Sequence, residues 1–492
     1  MITEKYKPID GKMEQLPLWQ SDQLIVVKKQ GNACGAKGLT VLQRESRDTS
    51  ARLRAGVQMG TKLDSLTQRA ERNSEEKFTS LAHLLDEEFL LECFYELKRG
   101  RAPGIDGLSI EDYEVDLEAN VSNLVERLRH KKYIPMPVKR VFIPKGDGKS
   151  KRPLGLPAVE DKIVQMGAKK ILEAIFEPEF EDVSFGFRPG LGCHDALDKL
   201  NKEIMFNPIE AIVDMDIRKF FDTVDHKWLM KALQQRINDR SFLNLIGRML
   251  KAGVVEEGRF LEIEIGTPQG AILSPILSNI YLHYILDKWF ENKFKPSCRG
   301  YCTLIRYADD FVVGFQYKIE AERFAAALKS RLNKYGLSIA EDKSKILDFG
   351  RKTWLRNRGK RKLETFDFLG FTHYCDTSRK GYFMLSVKTS MKKFRQKLKD
   401  MNEWLKGYRN KLSLYGSYLK KVCQKLKGHY EYYGRSGNYR MMKRFYERTV
   451  GLLWKWINRR SDRKSYNLEQ FTKLLKYNPL PRPRITHSIF KS

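Results

Sequence analysis

Hydrophobic residues first recur with a helical period between positions 62 and 97. They are spaced three and four residues apart from Phe78 to Leu85, and again from Phe89 to Leu97. This spacing gathers them on one face and predicts two helices, with Asp86 as the N-cap of the second. Residues 1–60 show no sustained period and are rich in Gly, Lys, Arg and Ser, which predicts a loosely ordered arm.

Three later stretches predict β-structure. Residues 139–157 alternate around a cation-rich turn and predict a hairpin. Residues 211–217 form a mainly apolar strand, in which period two places Asp214 and Asp216 on the same face. Residues 304–315 predict two apolar strands joined by a two-residue acidic turn, because Asp309 and Asp310 interrupt the run.

Helical patterns fill much of the remaining sequence. Helices are predicted over 159–177 and 226–250, and a buried one over 272–289 whose polar residues make it unsuited to span a membrane. An apolar stripe between 391 and 405 runs beside a surface rich in lysine and arginine. Strands and helices interleave up to about residue 380, and helices dominate afterwards. The pattern therefore predicts a mixed α and β body followed by an all-α basic part.

The charge is concentrated in that last part. The chain has 91 Lys and Arg against 61 Asp and Glu, a net +30. Residues 381–492 hold 28 of these cations and only six of the acids, so they carry +22 of the total. Solubility alone needs a net charge of about 2 to 8. The surplus indicates a polyanionic partner, and a nucleic-acid contact surface explains it better than a merely solvated surface does.

The cysteines and the N-terminus bear on the cellular compartment. Seven scattered cysteines indicate reduced thiols inside a cell, and the first twenty residues have no apolar signal core. Cys298, Cys302, His373 and Cys375 could be drawn as a zinc site, but their spacing fits no common ligand pattern, so ordinary buried thiols are the better interpretation. We expect a cytoplasmic protein, of bacterial origin, with no membrane partner.

The acidic residues suggest a specific chemistry. Joining a nucleotide to a growing strand requires neutralisation of charge on the attacking and the leaving oxygens, and two divalent ions held by aspartates can provide it. Asp216 at the end of one strand, with Asp309 and Asp310 in a hairpin, would suit this role. An Asp-Asp turn can equally be a solvated turn, so neither acidic element decides the matter alone.

The order of the motifs adds a resemblance to a known family. From about Gly104 to the C-terminus the chain resembles group II intron reverse transcriptase/maturases. The matching segments are Gly104-Ile-Asp-Gly107, Ile143-Pro-Lys145 with Arg152-Pro-Leu-Gly-Leu-Pro157, Ser184-Phe-Gly-Phe-Arg-Pro189, Asp216-Ile-Arg-Lys-Phe-Phe-Asp222, Thr267-Pro-Gln-Gly270 with Ser274-Pro275, Tyr307-Ala-Asp-Asp310, Gly336-Leu-Ser-Ile-Ala-Glu-Asp-Lys343, Phe368-Leu-Gly370 and, in the basic part, Gly428-His-Tyr-Glu-Tyr-Tyr433.

The resemblance implies an α+β fold of the right-hand polymerase type. After the arm, residues 61–205 would form an N-terminal extension and fingers, and residues 206–380 a palm with the catalytic aspartates. Residues 381–492 would form the α-helical thumb or maturase (X) domain. No cysteine follows Cys423. We therefore expect the form of the family without a C-terminal HNH endonuclease domain.

The resemblance also assigns residues to catalysis. Asp216, Asp309 and Asp310 match the catalytic metal ligands, Ile217 matches a further metal-contacting position, and two Mg²⁺ ions are expected. The positions that match the pocket for the incoming deoxynucleotide are Lys145, Arg152, Phe221 and Gln269. The ring of Phe221 would leave no room for a ribose 2′-hydroxyl. A turn one residue longer than is usual in the family makes the match of Lys145 less direct.

Further residues are expected to hold nucleic acid. The template and primer positions are Gly107, Arg188, Lys343, Leu369 and Gly370. The RNA-binding positions of the basic part are Lys392, Lys393, Arg395, Arg459 and Arg460.

The expected partners are group II intron RNA, a DNA primer or target, and deoxynucleoside triphosphates. The leading hypothesis is an RNA-directed DNA polymerase that also assists intron splicing and mobility. An RNA-binding splicing cofactor without polymerisation and a domesticated reverse transcriptase in defence or repair stay open as alternatives. An RNA-dependent RNA polymerase is disfavoured by Phe221. The oligomeric state is not predicted.

Overall fold

The structure is a computed structural model that describes residues 49–144, 151–358, 363–408, 415–459 and 466–488. Lys145 and Arg460 lie outside these residues, as does the arm up to residue 48. The helices are α1 (Thr49–Arg72), α2 (Glu87–Tyr95), α3 (Ile110–Glu114), α4 (Leu117–Arg129), α5 (Val159–Phe176), α6 (Cys193–Phe206), α7 (Phe220–Thr223), α8 (His226–Leu233), α9 (Arg240–Leu250), α10 (Ser274–Leu282), α11 (Lys318–Lys334), α12 (Arg351–Arg356), α13 (Met391–Tyr408), α14 (Tyr415–Tyr433), α15 (Tyr439–Ile457) and α16 (Leu468–Tyr477).

The strands of the described residues form three sheets, with orders β2-β1-β4-β5, β6-β7-β3-β8 and β11-β10-β9. Their bounds are β1 (Val138–Pro144), β2 (Lys151–Leu156), β3 (Ala211–Asp216), β4 (Val254–Glu256), β5 (Arg259–Leu261), β6 (Cys302–Tyr307), β7 (Asp310–Phe315), β8 (Lys345–Asp348), β9 (Thr365–Phe368), β10 (Phe371–Thr377) and β11 (Phe383–Thr389). The fold is therefore a mixed α+β fold. No helix of the described residues is long and apolar enough to cross a membrane.

The N-terminal helices are only partly those predicted from the sequence. The second predicted helix is confirmed as α2, and the Asp86 carboxylate accepts a hydrogen bond from the Phe89 amide as its N-cap. The first is wrong, because residues 78–85 hold a single short 3₁₀ turn. Their backbone instead bonds to a distant segment, since the Asp239 carboxylate accepts from the amides of Leu81 and Ala82. The arm prediction also fails from Thr49, where α1 begins.

The sheet β6-β7-β3-β8 separates two hydrophobic clusters. Along β3, Ala211, Val213 and Met215 belong to the cluster formed with the N-terminal and central helices, whereas Ile212 belongs to the cluster that also contains C-terminal residues. The same alternation puts Asp214 and Asp216 on the second face, as the period of two predicts.

The C-terminal part begins with a strand rather than a helix. The three strands β9, β10 and β11 are antiparallel, and β11 lies within the segment that was expected to be all-helical from residue 381. Phe383, Leu385 and Val387 of β11 recur at every second position and are all buried in the second cluster, which is the pattern of a strand. Helices follow from Met391, and α13 buries Met401 and Leu405 of the predicted apolar stripe.

Candidate active site

The strand register brings the two predicted acidic elements together. β3 and β7 are antiparallel neighbours, and Asp216 pairs directly with Asp310. Asp310 also pairs with Tyr307 across the β6–β7 hairpin, so it is the first residue of a strand and not part of the turn. The turn is formed by Ala308 and Asp309, and Ala308 has a left-handed φ of 58°. The acidic turn was therefore predicted one residue too far along the chain.

Burial and neighbouring carboxylates raise the pKa of Asp214, Asp309 and Asp310. Burial, followed by the charges of Asp214, Asp309 and Asp216, raises the pKa of Asp310 to about 7. Burial and the charge of nearby Asp367 raise the pKa of Asp214 to about 6. Burial also raises the pKa of Asp309, although the nearby Arg152 opposes this rise. Asp214 was not assigned a role from the sequence, yet it belongs to this cluster.

The cluster suits a hard divalent cation in its chemistry. Its donors are carboxylate oxygens, and their mutual repulsion is relieved by a positive charge. Asp216 already holds a cation, because its Oδ2 lies 2.6 Å from Nζ of Lys343. Within the described residues no three His, Cys, Asp or Glu side chains already converge as metal ligands. Lys343 therefore occupies one oxygen of a carboxylate that a metal ion would also use.

Ile217 can contribute to such a site only through its backbone. Its side chain is buried in the hydrophobic core, so its carbonyl oxygen is the group that remains for a cation. The adjacent peptide is fixed, since the Ala340 amide donates to the carbonyl oxygen of Asp216 at 2.8 Å.

A buried arginine supports the Ala308–Asp309 turn from within the core. Arg306 is fully buried and donates from Nε to the Asp287 carboxylate at 2.7 Å. Its Nη1 donates to the Ala308 carbonyl oxygen at 2.9 Å and to Asn279 at 3.1 Å, and its Nη2 donates to the Ser184 hydroxyl at 2.7 Å. The carbonyl of the left-handed turn residue is thereby held from within the core. No sequence signal assigned Arg306 or Asp287 to the site.

The Ser184-Phe-Gly-Phe-Arg-Pro189 segment packs against the same turn. A Cβ on Gly186 would lie 2.3 Å from the Ala308 amide nitrogen, so no larger residue fits there. The Gly186 carbonyl accepts a hydrogen bond from Asn279 at 2.7 Å. Arg188 bonds Glu177 at 2.7 Å and the carbonyl oxygen of Ser184 at 2.8 Å. These bonds give Arg188 a role in shaping the segment, and its contact with template stays a prediction.

Two of the predicted nucleotide residues line a cavity of about 320 Å³. Phe221 and Gln269 both line it. Their segments are tied together, because the Thr267 amide donates to the Phe221 carbonyl oxygen at 2.7 Å and the Gly155 amide donates to that of Gln269 at 2.6 Å. Arg152 lies on the same strand as Gly155, and its charge reaches Asp309. The hairpin β1–β2 therefore contributes both to the lining of this cavity and to the surroundings of Asp309.

A larger cavity of about 780 Å³ contains Asp310 together with Leu369, Gly370 and Lys393. It lies where the β9–β10 turn faces the C-terminal helices. The other predicted nucleic-acid residues that the structure describes do not line it. Gly107 occupies an exposed turn with φ 73°, Lys392 and Arg395 are exposed on α13, and Arg459 lies over the Trp456 ring, with 5.8 Å from its guanidinium carbon to the ring centroid.

The raised pKa values predict how magnesium should affect stability. An aspartate with a pKa near 7 in the folded chain keeps a proton that the unfolded chain loses near pH 4, so stability should fall as pH rises from about 4 to 7. A bound cation would favour the charged carboxylate in the folded chain and so offset this loss of stability. We expect saturating Mg²⁺ to raise the Tm by about 2–4 °C at pH 8 and by much less at pH 5.5. Differential scanning fluorimetry of the native chain and of Asp310→Asn, which should lose most of the effect, tests this. Equal Mg²⁺ shifts at both pH values would contradict it.

Comparison with known proteins fits this arrangement. The reverse transcriptase (RNA-dependent DNA polymerase) family matches residues 143–373, which contain all three aspartates. The chain is 37% identical to the group II intron-encoded protein LtrA of Lactococcus lactis subsp. cremoris, over 46% of this chain and 38% of LtrA. It is 35% identical to protein YkfC of Escherichia coli K12, over 48% of this chain and 71% of YkfC. The chain belongs to the group II intron-encoded reverse transcriptase family.

The matches cover only part of the length of these relatives. The chain spans less than half of the length of LtrA. It is also 32% identical to nuclear intron maturase 4, mitochondrial, of Arabidopsis thaliana, over 31% of this chain and 15% of that relative. Among the reverse transcriptase residues predicted from the sequence, the structure brings Asp216, Asp309 and Asp310 together. It places Phe221 with Gln269, and Leu369 and Gly370 beside Asp310.

Proposed function

We propose that this chain is an RNA-directed DNA polymerase that adds deoxynucleotides to a 3′-hydroxyl on an RNA template. The observation that carries the proposal is the direct pairing of Asp216 with Asp310, with Asp309 in the adjoining turn. Carboxylates are rarely gathered in this way without a cation to offset their repulsion. The family to which the chain belongs supports the same reaction.

Asp216, Asp309 and Asp310 would hold two Mg²⁺ ions, and the Ile217 carbonyl is available beside them. Such ions, when bound, neutralise charge on the attacking and leaving oxygens. Asp310 is the most crowded by like charge, so it would support the site more than it coordinates an ion. Arg152 is close enough to the catalytic turn to hold the triphosphate of an incoming nucleotide. Gln269 and Phe221 would enclose its base and sugar.

The finer architecture follows from these roles. The sheet β6-β7-β3-β8 would be the palm, and the hairpin β1–β2 with the N-terminal helices would form the fingers. The helices α13 to α16 would form the thumb or maturase domain. Exposed Lys392 and Arg395 on α13 suit phosphate contacts, and Lys393 faces the cavity that contains Asp310. The same chain would thereby bind intron RNA and assist its splicing, as the name of the maturase relative suggests.

The proposed selectivity for deoxynucleotides depends on one ring. Phe221 is half-buried and lines the nucleotide cavity, where its ring would exclude a 2′-hydroxyl. We expect Phe221→Ala to lower the preference for deoxynucleotides over ribonucleotides by about tenfold to a hundredfold, because removal of the ring opens space for one hydroxyl. Single-nucleotide incorporation with each substrate measures the ratio of kcat/KM values. Phe206→Ala, which removes a ring that is 81% exposed on α6, is the matched control. An unchanged ratio in Phe221→Ala would show that another residue sets the selectivity.

The proposed polymerase activity is tested directly by extension of a DNA primer on an RNA template in the presence of Mg²⁺. Extension by the purified chain with deoxynucleotides supports the proposal. RNA binding without any extension, across Mg²⁺ and Mn²⁺ concentrations, would leave the splicing cofactor as the better hypothesis. RNA affinity should fall steeply with salt, since lysine and arginine contacts release counterions from the phosphates.

A further inference from the structure

The turn between β9 and β10 is held in an unusual conformation. Leu369 and Gly370 both have positive φ, 48° and 81°, and Phe368 pairs with Phe371 on either side of them. Two positive φ values form the tight turn that suits the twist of a hairpin, but glycine or asparagine normally occupies the first position. A leucine there is strained and persists only when its surroundings hold it.

The C-terminal part supplies the contacts that hold this turn. The Tyr432 hydroxyl on α14 donates to the Leu369 carbonyl oxygen at 2.9 Å. The Ser390 amide, just before α13, donates to the Gly370 carbonyl oxygen at 3.0 Å. The Tyr432 ring also lies nearly parallel to that of Phe371, with 6.0 Å between the ring centroids. Both carbonyls of the turn are therefore bound to groups from the segment after β11.

The opposite side of the turn faces the catalytic strand. The Leu369 amide lies close enough to the Asp310 carboxylate to stabilise its charged form. Asp310, Leu369, Gly370 and Tyr432 all line the same cavity. A short path thus leads from a C-terminal helix through one hydroxyl and one peptide to a carboxylate of the proposed catalytic cluster.

We propose that Tyr432 is a positioning residue, whose hydroxyl fixes the Leu369–Gly370 turn against Asp310 and thereby couples the placement of the C-terminal helices to nucleotide addition. The inference rests on the proposed function, because its effect is on the polymerase reaction. Tyr432 acts through the Leu369 carbonyl and not on the reacting atoms. Movement of α14 when nucleic acid enters the cavity would tighten or release the turn.

Tyr432→Phe tests this by removing a single oxygen. We expect the single-turnover rate constant for nucleotide addition to fall about fivefold to tenfold, which is the effect of losing one hydrogen bond. The Kd for template and primer should stay within about twofold. Tyr430→Phe is the matched control, since Tyr430 lies on the same helix and its buried hydroxyl has no hydrogen-bond partner among the described residues. Both variants should melt at nearly the same temperature.

Combining Tyr432→Phe with a second substitution, Leu369→Asn, distinguishes positioning of the turn from general stabilisation of the protein. Asparagine tolerates positive φ, so Leu369→Asn should let the turn keep its conformation without Tyr432. The penalty of Tyr432→Phe should then shrink to about twofold or less. An unchanged rate in Tyr432→Phe, or an equal penalty in both backgrounds, would overturn the inference while the native chain still extends primers. If the native chain extends none, the proposed function fails and the inference falls with it.

Discussion

Asp309→Ala is expected to lower the rate of primer extension by at least about a thousandfold, because charge that develops during the reaction would lose a carboxylate-held cation. Asp309 is the turn residue of the aspartate cluster, and its pKa responds to both Asp216 and Arg152. Steady-state extension of a DNA primer on an RNA template measures the change. RNA affinity should remain within about twofold, since the substitution removes no lysine or arginine that could contact phosphate.

Loss of primer extension together with retained RNA binding would distinguish a catalytic defect from misfolding. Asp376→Ala is a suitable control, because Asp376 lies in β10 and its carboxylate accepts a hydrogen bond only from the adjacent Thr377 amide among the described residues. It should extend primers at the native rate. Extension by Asp309→Ala within about tenfold of the native rate would remove the aspartate cluster from catalysis. Loss of RNA binding as well would point to misfolding and not to a catalytic defect.

The common face of Asp214 and Asp216 and the hairpin around Asp309 could be predicted from the sequence because both depend on local alternation, whereas the meeting of the two elements was expected only from the family resemblance. Period two put Asp214 and Asp216 on one face, and the apolar strands around Asp309 required a hairpin. The sequence did not reveal that Ala308 and Asp309 form the turn. The positive φ of Ala308 is supported by residues distant in sequence, namely the hydrogen bond from Arg306 and the close approach of Gly186.

Elements that depend on distant partners were missed for the same reason. Residues 78–85 have a helical period, yet their amides bond to Asp239, 158 positions from Leu81. The boundary at residue 381 was predicted from the distribution of charge. The residues of β11, just after it, nevertheless form a strand, because they pair with β10. Composition located the basic helices correctly but could not show that Lys393, unlike Lys392, lines the cavity with Asp310.

Arg306→Ala is expected to destabilise the protein by about 3–5 kcal/mol, because it leaves the fully buried Asp287 carboxylate without its cation. Asp287 ends a wider π-helical turn that follows α10, in a segment fully removed from water. Chemical denaturation followed by circular dichroism measures the loss. Arg236→Ala is the matched control, since Arg236 is also buried but its carboxylate partner Glu179 keeps a second cation, Lys288, at 2.7 Å; this variant should therefore lose less stability.

The double variant Arg306→Met with Asp287→Leu separates stability from positioning. Replacing both charged partners by apolar residues is often neutral for stability, so most of the lost free energy should return. The Ala308 carbonyl would still lack its donor, and the left-handed turn that carries Asp309 would be free to relax. We therefore expect a stable protein that extends primers at least about tenfold more slowly than the native chain. A double variant with native stability and native activity would show that Arg306 serves the fold alone.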